Sequence, residues 1–134
     1  MQPVILCVDD DPLVRDVTQV VLERGGYRVL QAGSGTEAIA VLAESQEHIS
    51  LVVLDWTVRD LPGAEVVTRL KTLRPELRIL LTSGYDRTTV MRRAPRRAIY
   101  DFLAKPYLPK QLVQSVAHAL RSVRAPRMVS SRAT

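Results

Sequence analysis

The sequence predicts a single α/β domain with a doubly wound, five-stranded parallel sheet between two layers of helices, a three-layer sandwich. Three observations support this prediction. Short apolar runs alternate with stretches in which apolar residues recur at helical spacing. The run at residues 51–54 is apolar at every position, which is typical of a parallel strand buried on both faces. The length of 134 residues fits one domain.

The first half of the chain predicts three strands and two helices. Pro12 opens the first helix, and Gly25 and Gly26 stop it. Ser34 and Glu37 have the spacing of a capping box at the start of the second helix. The predicted strands of this half are residues 4–9, 28–32 and 51–55.

The second half predicts three further helices and two strands. A polar loop runs through Gly63 into the third helix, which Pro75 closes. A weak fourth helix is ended or kinked by Pro95, and Pro109 opens the last helix. The predicted elements are strands at residues 78–82 and 99–103 and the weak helix at 86–94. Right-handed crossovers and the commonest five-stranded order then give 2-1-3-4-5.

Composition and charge restrict the function classes. No apolar run approaches the ~20 residues that span a bilayer, and the amino terminus lacks the basic start of a signal peptide, so we expect a cytoplasmic protein. Residues 1–67 hold 4 Lys and Arg against 11 Asp and Glu, whereas residues 68–134 hold 15 against 3. This asymmetry fits a nucleic-acid or acidic partner, or a solvated face opposite an acidic metal-binding rim, which we favour. Cys7, the single cysteine, is predicted to pack as a buried hydrophobe.

Acidic side chains follow two strands that the predicted order makes neighbours. Asp9 and Asp10 follow the first strand and Asp55 ends the third, so all three should converge at the switch point of the sheet. Ionised carboxylates this close repel one another, and a hard divalent cation such as Mg²⁺ suits an all-oxygen site. Asp11 is assigned instead to the cap of the helix that opens at Pro12.

Two further strand ends lie on the same predicted rim. Ser83 ends the fourth strand with a hydroxyl, and Lys105 follows the fifth strand with an ammonium group. Metal, lysine and hydroxyl together would stabilise a phosphoryl group on Asp55. Trp56, the only tryptophan, should point away from Asp55 while its ring lies near the metal site.

These residues resemble the landmarks of the receiver domain of two-component response regulators, a flavodoxin-like fold. The resemblance covers residues 4–123. It implies that a sensor histidine kinase phosphorylates Asp55 in a Mg²⁺-dependent reaction. The matching motifs are Asp9-Asp10, Asp55, Ser83-Gly84 and Lys105-Pro106.

The resemblance also implies individual roles. Mg²⁺ would be held by Asp9 or Asp10, by Asp55 and by the backbone carbonyl of Thr57. Ser83 would turn toward the phosphate, and Phe102 would be the aromatic residue whose rotamer follows it. Lys105 would pair with the phosphate beside a cis Lys105–Pro106 bond. Such a protein is a signalling phosphoacceptor that catalyses only its own phosphoryl transfer and slow dephosphorylation.

The chain departs from the family pattern after the acceptor. Val58-Arg59 stands where the family usually has Met-Pro, and Pro62 stands where an Asp often precedes the loop glycine. Arg59 removes a rigid turn residue and adds a charge near the site, which bears on loop conformation and dephosphorylation rate. The region of the fourth helix also differs, because residues 95–97 read Pro-Arg-Arg.

We expect residues 1–123 to form the receiver domain and 124–134 a flexible basic tail, in a stand-alone regulator or a segment of a hybrid kinase. The expected partners are a sensor histidine kinase or phosphotransfer protein, with no membrane and no nucleic acid. A downstream partner or a second copy would use the face formed by the fourth helix, fifth strand and fifth helix. Its basic residues are Arg87, Arg92, Arg93, Arg96 and Arg97.

Two other function classes share some of these features. A Mg²⁺-dependent phosphohydrolase of the haloacid-dehalogenase type also has an aspartate nucleophile at a strand end. That class needs a general acid two residues later, where this chain has Thr57, and no cap domain is visible. A nucleic-acid-binding function rests only on the basic second half, without a recognition motif.

Overall fold

The computed structural model of the protein describes residues 2–124. In these residues five parallel strands form one sheet in the order β2-β1-β3-β4-β5, which confirms the predicted topology. Of the predicted tail at 124–134, only Arg124 lies within the described residues, and it ends the last helix. The strands are β1 Val4–Val8, β2 Arg28–Ala32, β3 Ile49–Asp55, β4 Arg78–Ser83 and β5 Asp101–Ala104.

Within the described part of the chain, five α-helices connect and flank the strands. The side chain of Asp11 accepts a hydrogen bond from the Leu13 N–H at 3.0 Å, which confirms its predicted role as a helix cap. Ser34 caps the second helix through the Glu37 N–H, whereas the Glu37 carboxylate accepts from the N–H of Gly33. The helices are α1 Pro12–Arg24, α2 Gly35–Glu44, α3 Gly63–Leu73, α4 Arg87–Arg93 and α5 Pro109–Arg124.

Strand boundaries shift from the prediction where the backbone makes other bonds. The fifth strand was predicted at 99–103 and lies at Asp101–Ala104, because Pro95 ends α4 and a 3₁₀ turn at Arg96–Ala98 follows. In that turn the Ile99 N–H donates to the carbonyl of Arg96 instead of to the sheet. The other strands differ from the prediction by at most two residues at an end.

The sheet separates two apolar layers, as predicted for a three-layer fold. Leu6 and Leu54 face the layer formed with α2, α3 and α4, whereas Ile5 and Val53 face the layer formed with α1 and α5. Cys7 is buried in the second layer, as predicted. Burial of each large aliphatic side chain contributes about 1.5–3 kcal/mol, so these layers hold the strand ends in a fixed relation.

Two glycines are required by local geometry. Gly26 has φ +96°, a conformation that favours glycine, and it carries the chain from α1 into β2. Gly63 begins α3 directly against the indole of Trp56, where a Cβ would come within 2.6 Å of the ring. The ring of Trp56 is therefore held between the end of β3 and the start of α3.

Asp60 ties the loop between β3 and α3 to the first turn of α2. Its Oδ1 accepts from the Gly35 N–H at 2.8 Å and its Oδ2 from the Thr36 N–H at 2.9 Å. Hydrogen bonds from the side chain and backbone of Thr36, and from the Gly35 N–H, lower the pKa of Asp60 to about 2. A carboxylate at a helix N-terminus accepts hydrogen bonds from backbone N–H groups that have no partner within the helix. Its negative charge also interacts favourably with the helix dipole. Asp60 thus caps α2 from another part of the chain.

Replacing Asp60 with Ala should lower the free energy of unfolding at pH 7 by about 0.5–2 kcal/mol, the range for helix caps. Because the folded-state pKa of Asp60 is about 2 against an ordinary value of 3.8, its contribution is full above pH 3.8. That contribution is lost as the pH falls toward 2. Urea unfolding at pH 7 and at acidic pH measures both effects.

Glu44→Ala is the matched control, since Glu44 is an exposed carboxylate at the other end of α2. We expect that variant to retain wild-type stability at both pH values. Equal losses for Asp60→Ala at both pH values would contradict the proposed charge-dependent cap.

Candidate functional site

Three carboxylates converge at the carboxyl end of the sheet, as the strand order predicts. Oxygen atoms of Asp9, Asp10 and Asp55 all lie within 4.8 Å of one another. They meet because β1 and β3 are adjacent strands in which Val8 pairs with Leu54. Asp9 and Asp55 directly follow these two residues. Asp9 and Asp55 are 5% and 4% exposed, whereas Asp10 is exposed to solvent.

Lys105 is the cation between the two buried carboxylates. Its Nζ lies 3.1 Å from Asp9 Oδ2 and 3.1 Å from Asp55 Oδ2. The Lys105 backbone N–H donates to the Ser83 carbonyl at 2.8 Å, and the Lys105–Pro106 peptide bond is cis, as the resemblance implied. The amine is therefore aimed at the acidic cluster from the end of β5.

Burial and charge act in opposite directions on these groups. Burial raises the pKa of Asp9, the charge of Asp55 raises it further, and hydrogen bonds from the Asp11 N–H and Lys105 oppose the rise. Burial alone would lower the pKa of Lys105, but the carboxylates of Asp55 and Asp9 outweigh it, so the pKa of Lys105 is raised. The amine therefore stays protonated at neutral pH, in direct contact with two of the three carboxyl groups.

Other contacts orient the carboxylates, and the sequence alone did not predict two of them. Thr57 donates to Asp55 Oδ1 from its backbone N–H at 3.0 Å and from its hydroxyl at 2.8 Å, whereas the resemblance implied only a role for its carbonyl. Arg15 Nη1 donates to the backbone carbonyl of Asp9 at 2.7 Å. The position of Thr57 two residues after Asp55 could have predicted its hydrogen bonds to that carboxylate. No feature of the sequence predicts the hydrogen bond of Arg15.

Ser83 and Phe102 are buried close to this rim. Ser83 is fully buried, and its hydroxyl accepts a hydrogen bond from the Tyr85 N–H at 3.0 Å. Phe102 packs in the core layer that contains α4, with the guanidinium carbon of Arg87 5.9 Å from its ring centre. Their responses to a phosphate remain predictions.

The donor set fits a hard divalent cation. At about 4 Å, two like charges repel by roughly 4 kcal/mol at an effective dielectric of 20, and Lys105 supplies one positive charge against three carboxylates. Mg²⁺ prefers carboxylate oxygens together with water. Asp9, Asp10 and Asp55 could therefore hold Mg²⁺ from the exposed side of the cluster.

Comparisons with known proteins agree with this geometry. The family model of the response regulator receiver domain matches residues 5–117. The sensor kinase CckA of Brucella abortus is 31% identical over 116 residues, which are 87% of this chain and 12% of that protein. The transcriptional regulatory protein AruR of Pseudomonas aeruginosa is 36% identical over 129 residues, which are 92% and 52% of the two proteins.

Solved structures give the same fold. A CheY-like response regulator receiver domain protein from Methanospirillum hungatei superposes with a TM-score of 0.87 at 25% identity, covering 95% of this chain and 100% of that one. The chain therefore spans all of one solved receiver but about half or less of the two curated relatives. Across residues 2–124, no helix combines the length and the apolar character needed to cross a membrane.

Replacing Lys105 with Met should lower the free energy of unfolding of the metal-free protein by about 1–3 kcal/mol, because two buried carboxylates lose a charged hydrogen-bond donor. The raised pKa means that Lys105 stabilises the fold fully below the ordinary lysine value of 10.5. That stabilisation is lost as the pH rises through the folded-state value. The difference between wild type and variant should thus be constant from about pH 7 to 9 and shrink above the ordinary lysine value.

Urea unfolding across this pH range measures the difference, and Lys110→Met, which removes another lysine from the start of α5, is the control. A Lys105→Met variant that is as stable as wild type at pH 7 would show that the ion pairs contribute nothing. Loss of the folded circular dichroism spectrum would instead assign Lys105 a purely structural role.

Proposed function

The chain belongs to the response regulator receiver domain family, and from this premise we propose that it is the phosphoacceptor of a two-component signalling system. Asp55 would receive the phosphoryl group from a phosphohistidine of a sensor histidine kinase or a phosphotransfer protein. The observation that carries the proposal is the ammonium group of Lys105, which lies 3.1 Å from both Asp9 and Asp55 at the carboxyl ends of adjacent strands.

The contacts of Asp55 indicate which oxygen would attack. Thr57 occupies Oδ1 with two hydrogen bonds, whereas Oδ2 accepts its hydrogen bond from the amine of Lys105. In the proposed step Oδ2 forms a bond to phosphorus while the bond from phosphorus to the histidine nitrogen breaks, and the imidazole leaves with that electron pair. Lys105 would then pair with the phosphoryl oxygens in place of the carboxylate.

Residues of the acidic cluster would hold Mg²⁺ during this reaction. Asp9, Asp10 and Asp55, with the Thr57 carbonyl, are the proposed ligands. When bound, the metal would supply positive charge that offsets the charge of the phosphoryl oxygens. The orientation of Asp9 is fixed by the Asp11 N–H, which donates to its Oδ1 at 2.9 Å, so the site is held by the chain before any ligand arrives.

The switch would operate through Ser83 and Phe102. The Ser83 hydroxyl would turn from the Tyr85 N–H and donate to the phosphate, drawing the end of β4 toward the site. Phe102, on the next strand, would change rotamer and alter the packing of α4. To move a two-state equilibrium from 1:99 to 99:1, the phosphoryl group must favour the active state by about 5.5 kcal/mol.

Membership of the receiver family favours this function over the phosphohydrolase alternative. Activity would be limited to phosphorylation of its own Asp55 and slow hydrolysis of that phosphate, without a separate substrate. We place the protein in the cytoplasm, where a sensor kinase presents its phosphohistidine. A stand-alone regulator and a segment of a longer regulator or kinase both fit the proposal, since the relatives include a sensor kinase and a transcriptional regulatory protein.

An apolar groove beside the site would receive the phosphodonor protein. Leu13 and Val17 on α1 are 71% and 55% exposed, and Leu108 before α5 is also exposed. The two α1 residues line a groove of about 650 Å³ whose wall continues to Lys105 and Gly84, at the rim that holds Asp55. A protein that brings a phosphohistidine to Asp55 must cover this rim, and the exposed apolar patch gives it a surface to bury.

The output partner would bind the basic face formed by α4, β5 and α5. Arg92 and Arg93 are at the end of α4, Arg96 and Arg97 are in the turn that follows it, and all four are exposed. Arg87 lies 3.9 Å from Asp101. We propose that these arginines contact an acidic protein or the acidic half of a second copy. Because exposed charge pairs are screened over about 8 Å in physiological salt, such an association should weaken as salt increases.

Acetyl phosphate with Mg²⁺ should add one acid-labile phosphoryl group to the wild-type protein and none to Asp55→Asn. The reason is that the amide removes the proposed nucleophile while keeping the size of the side chain. Intact-mass analysis measures the modification, and Asp11→Asn, which changes only the cap of α1, is the control that should still be labelled. Undiminished labelling of Asp55→Asn would refute the assignment.

Val17→Asp should slow phosphorylation by a phosphorylated histidine-phosphotransfer protein about tenfold or more, because a charge in an apolar contact is costly. Labelling by acetyl phosphate should be unchanged, since that small donor needs no docking surface. Leu73→Asp, on α3, is a matched control at another exposed apolar residue. Equal transfer rates in wild type and Val17→Asp would remove the groove from the proposed donor interface.

A further inference from the structure

The three carboxylates of the site have two different cationic partners. Lys105 contacts Asp9 and Asp55, the two buried members. Asp10 is contacted instead by Arg59, whose Nε lies 3.4 Å from Asp10 Oδ2. The Arg59 side chain is 90% exposed and that of Asp10 is 33% exposed, so this pair lies at the open side of the cluster.

The backbone on both sides of Arg59 is fixed. Val58 is 5% exposed and packs in the core layer below α3, and Asp60 is bound to the N–H groups of Gly35 and Thr36. The long side chain of Arg59 is therefore free to move while its Cα stays beside the site. Because the Arg59 backbone is held beside the site, the effective concentration of its guanidinium group near the Asp10 carboxylate is high.

The guanidinium and a metal ion would use the same oxygen atoms. Asp10 is the exposed member of the cluster, so a divalent cation arriving from solvent meets the side where Arg59 lies. Both cations cannot contact Asp10 without repelling each other, and an exposed pair of this kind is weak enough to be displaced.

We propose that Arg59 is a built-in competitor of Mg²⁺, a tethered counter-cation of Asp10 that sets the metal affinity of this site. The inference rests on the proposed function in that it takes the acidic cluster as the Mg²⁺ site. Arg59 stands where the family usually has a turn proline, so this substitution would change the metal affinity of the site. Metal binding here is weakened, and made less dependent on monovalent salt, by a residue that is not a ligand.

The test is a Mg²⁺ titration of wild type and Arg59→Ala, followed by calorimetry and by Trp56 fluorescence. Arg59→Ala should bind Mg²⁺ roughly two- to fivefold more tightly at low ionic strength, the range expected for loss of one exposed ion pair. The advantage should shrink in high monovalent salt, which screens exposed charges. In an Asp10→Asn background the same substitution should change the affinity little, because the contact is already removed.

Arg69→Ala is the matched control, since Arg69 is an exposed arginine in an ion pair with Glu65, on α3. It removes the same charge from the protein and should leave the Mg²⁺ affinity unchanged. An equal gain in Arg69→Ala and Arg59→Ala would overturn the proposal by assigning the effect to net charge.

Two results separate this inference from the proposed function. Equal Mg²⁺ affinity of wild type and Arg59→Ala, with weaker binding by Asp10→Asn, would overturn the role of Arg59 and leave the metal site intact. A lack of saturable Mg²⁺ binding in both wild type and Arg59→Ala would overturn the metal site and the competition together. Circular dichroism of each variant establishes that it is folded, which the exposure of Arg59 leads us to expect.

Discussion

The contact of one lysine with two buried carboxylates is the interaction on which the site depends. Asp9 and Asp55 lie together because β1 and β3 are neighbours, and without a cation their charges would oppose the pairing that brings them close. Lys105 reaches them from β5, two strands away from β3, so it couples the outer strand to the centre of the sheet. A phosphoryl group that drew Lys105 from Asp9 would therefore change a contact shared by three strands.

The loop after β3 shows how a different sequence can still hold the rim in place. The usual turn proline is absent, yet Val58 is anchored in the core and Asp60 caps α2 from a distance. Two side-chain anchors thus restrict the loop backbone where a proline ring would have done so. Between them Arg59 stays exposed, and its charge is presented to Asp10 by the rigidity of its neighbours.

Sequence periodicity located the strands, because β1 and β3 contain continuous apolar runs, and the commonest order of a five-stranded doubly wound sheet supplied the topology. The same rules predicted that Asp9, Asp10 and Asp55 converge. They could not give the two hydrogen bonds of Asp60 to α2, which join residues 24 and 25 positions apart. Nor could they give the start of β5, since the apolar residues at 98–100 do not reveal the 3₁₀ turn after Pro95, in which the Ile99 N–H bonds to the carbonyl of Arg96.

Two groups of charged residues lie in different parts of the fold. Asp9, Asp10 and Asp55 gather where β1 and β3 end, whereas the arginines of α4 and of the turn that follows it come after β4 in the chain. A donor that covers the acidic rim and the α1 groove would leave α4 exposed, because the groove borders α1 and α5 rather than α4. Input and output can then occupy different faces of one small domain. Under the proposed function, Ser83 and Phe102, on the adjacent strands β4 and β5, would transmit occupancy of the acidic rim to α4.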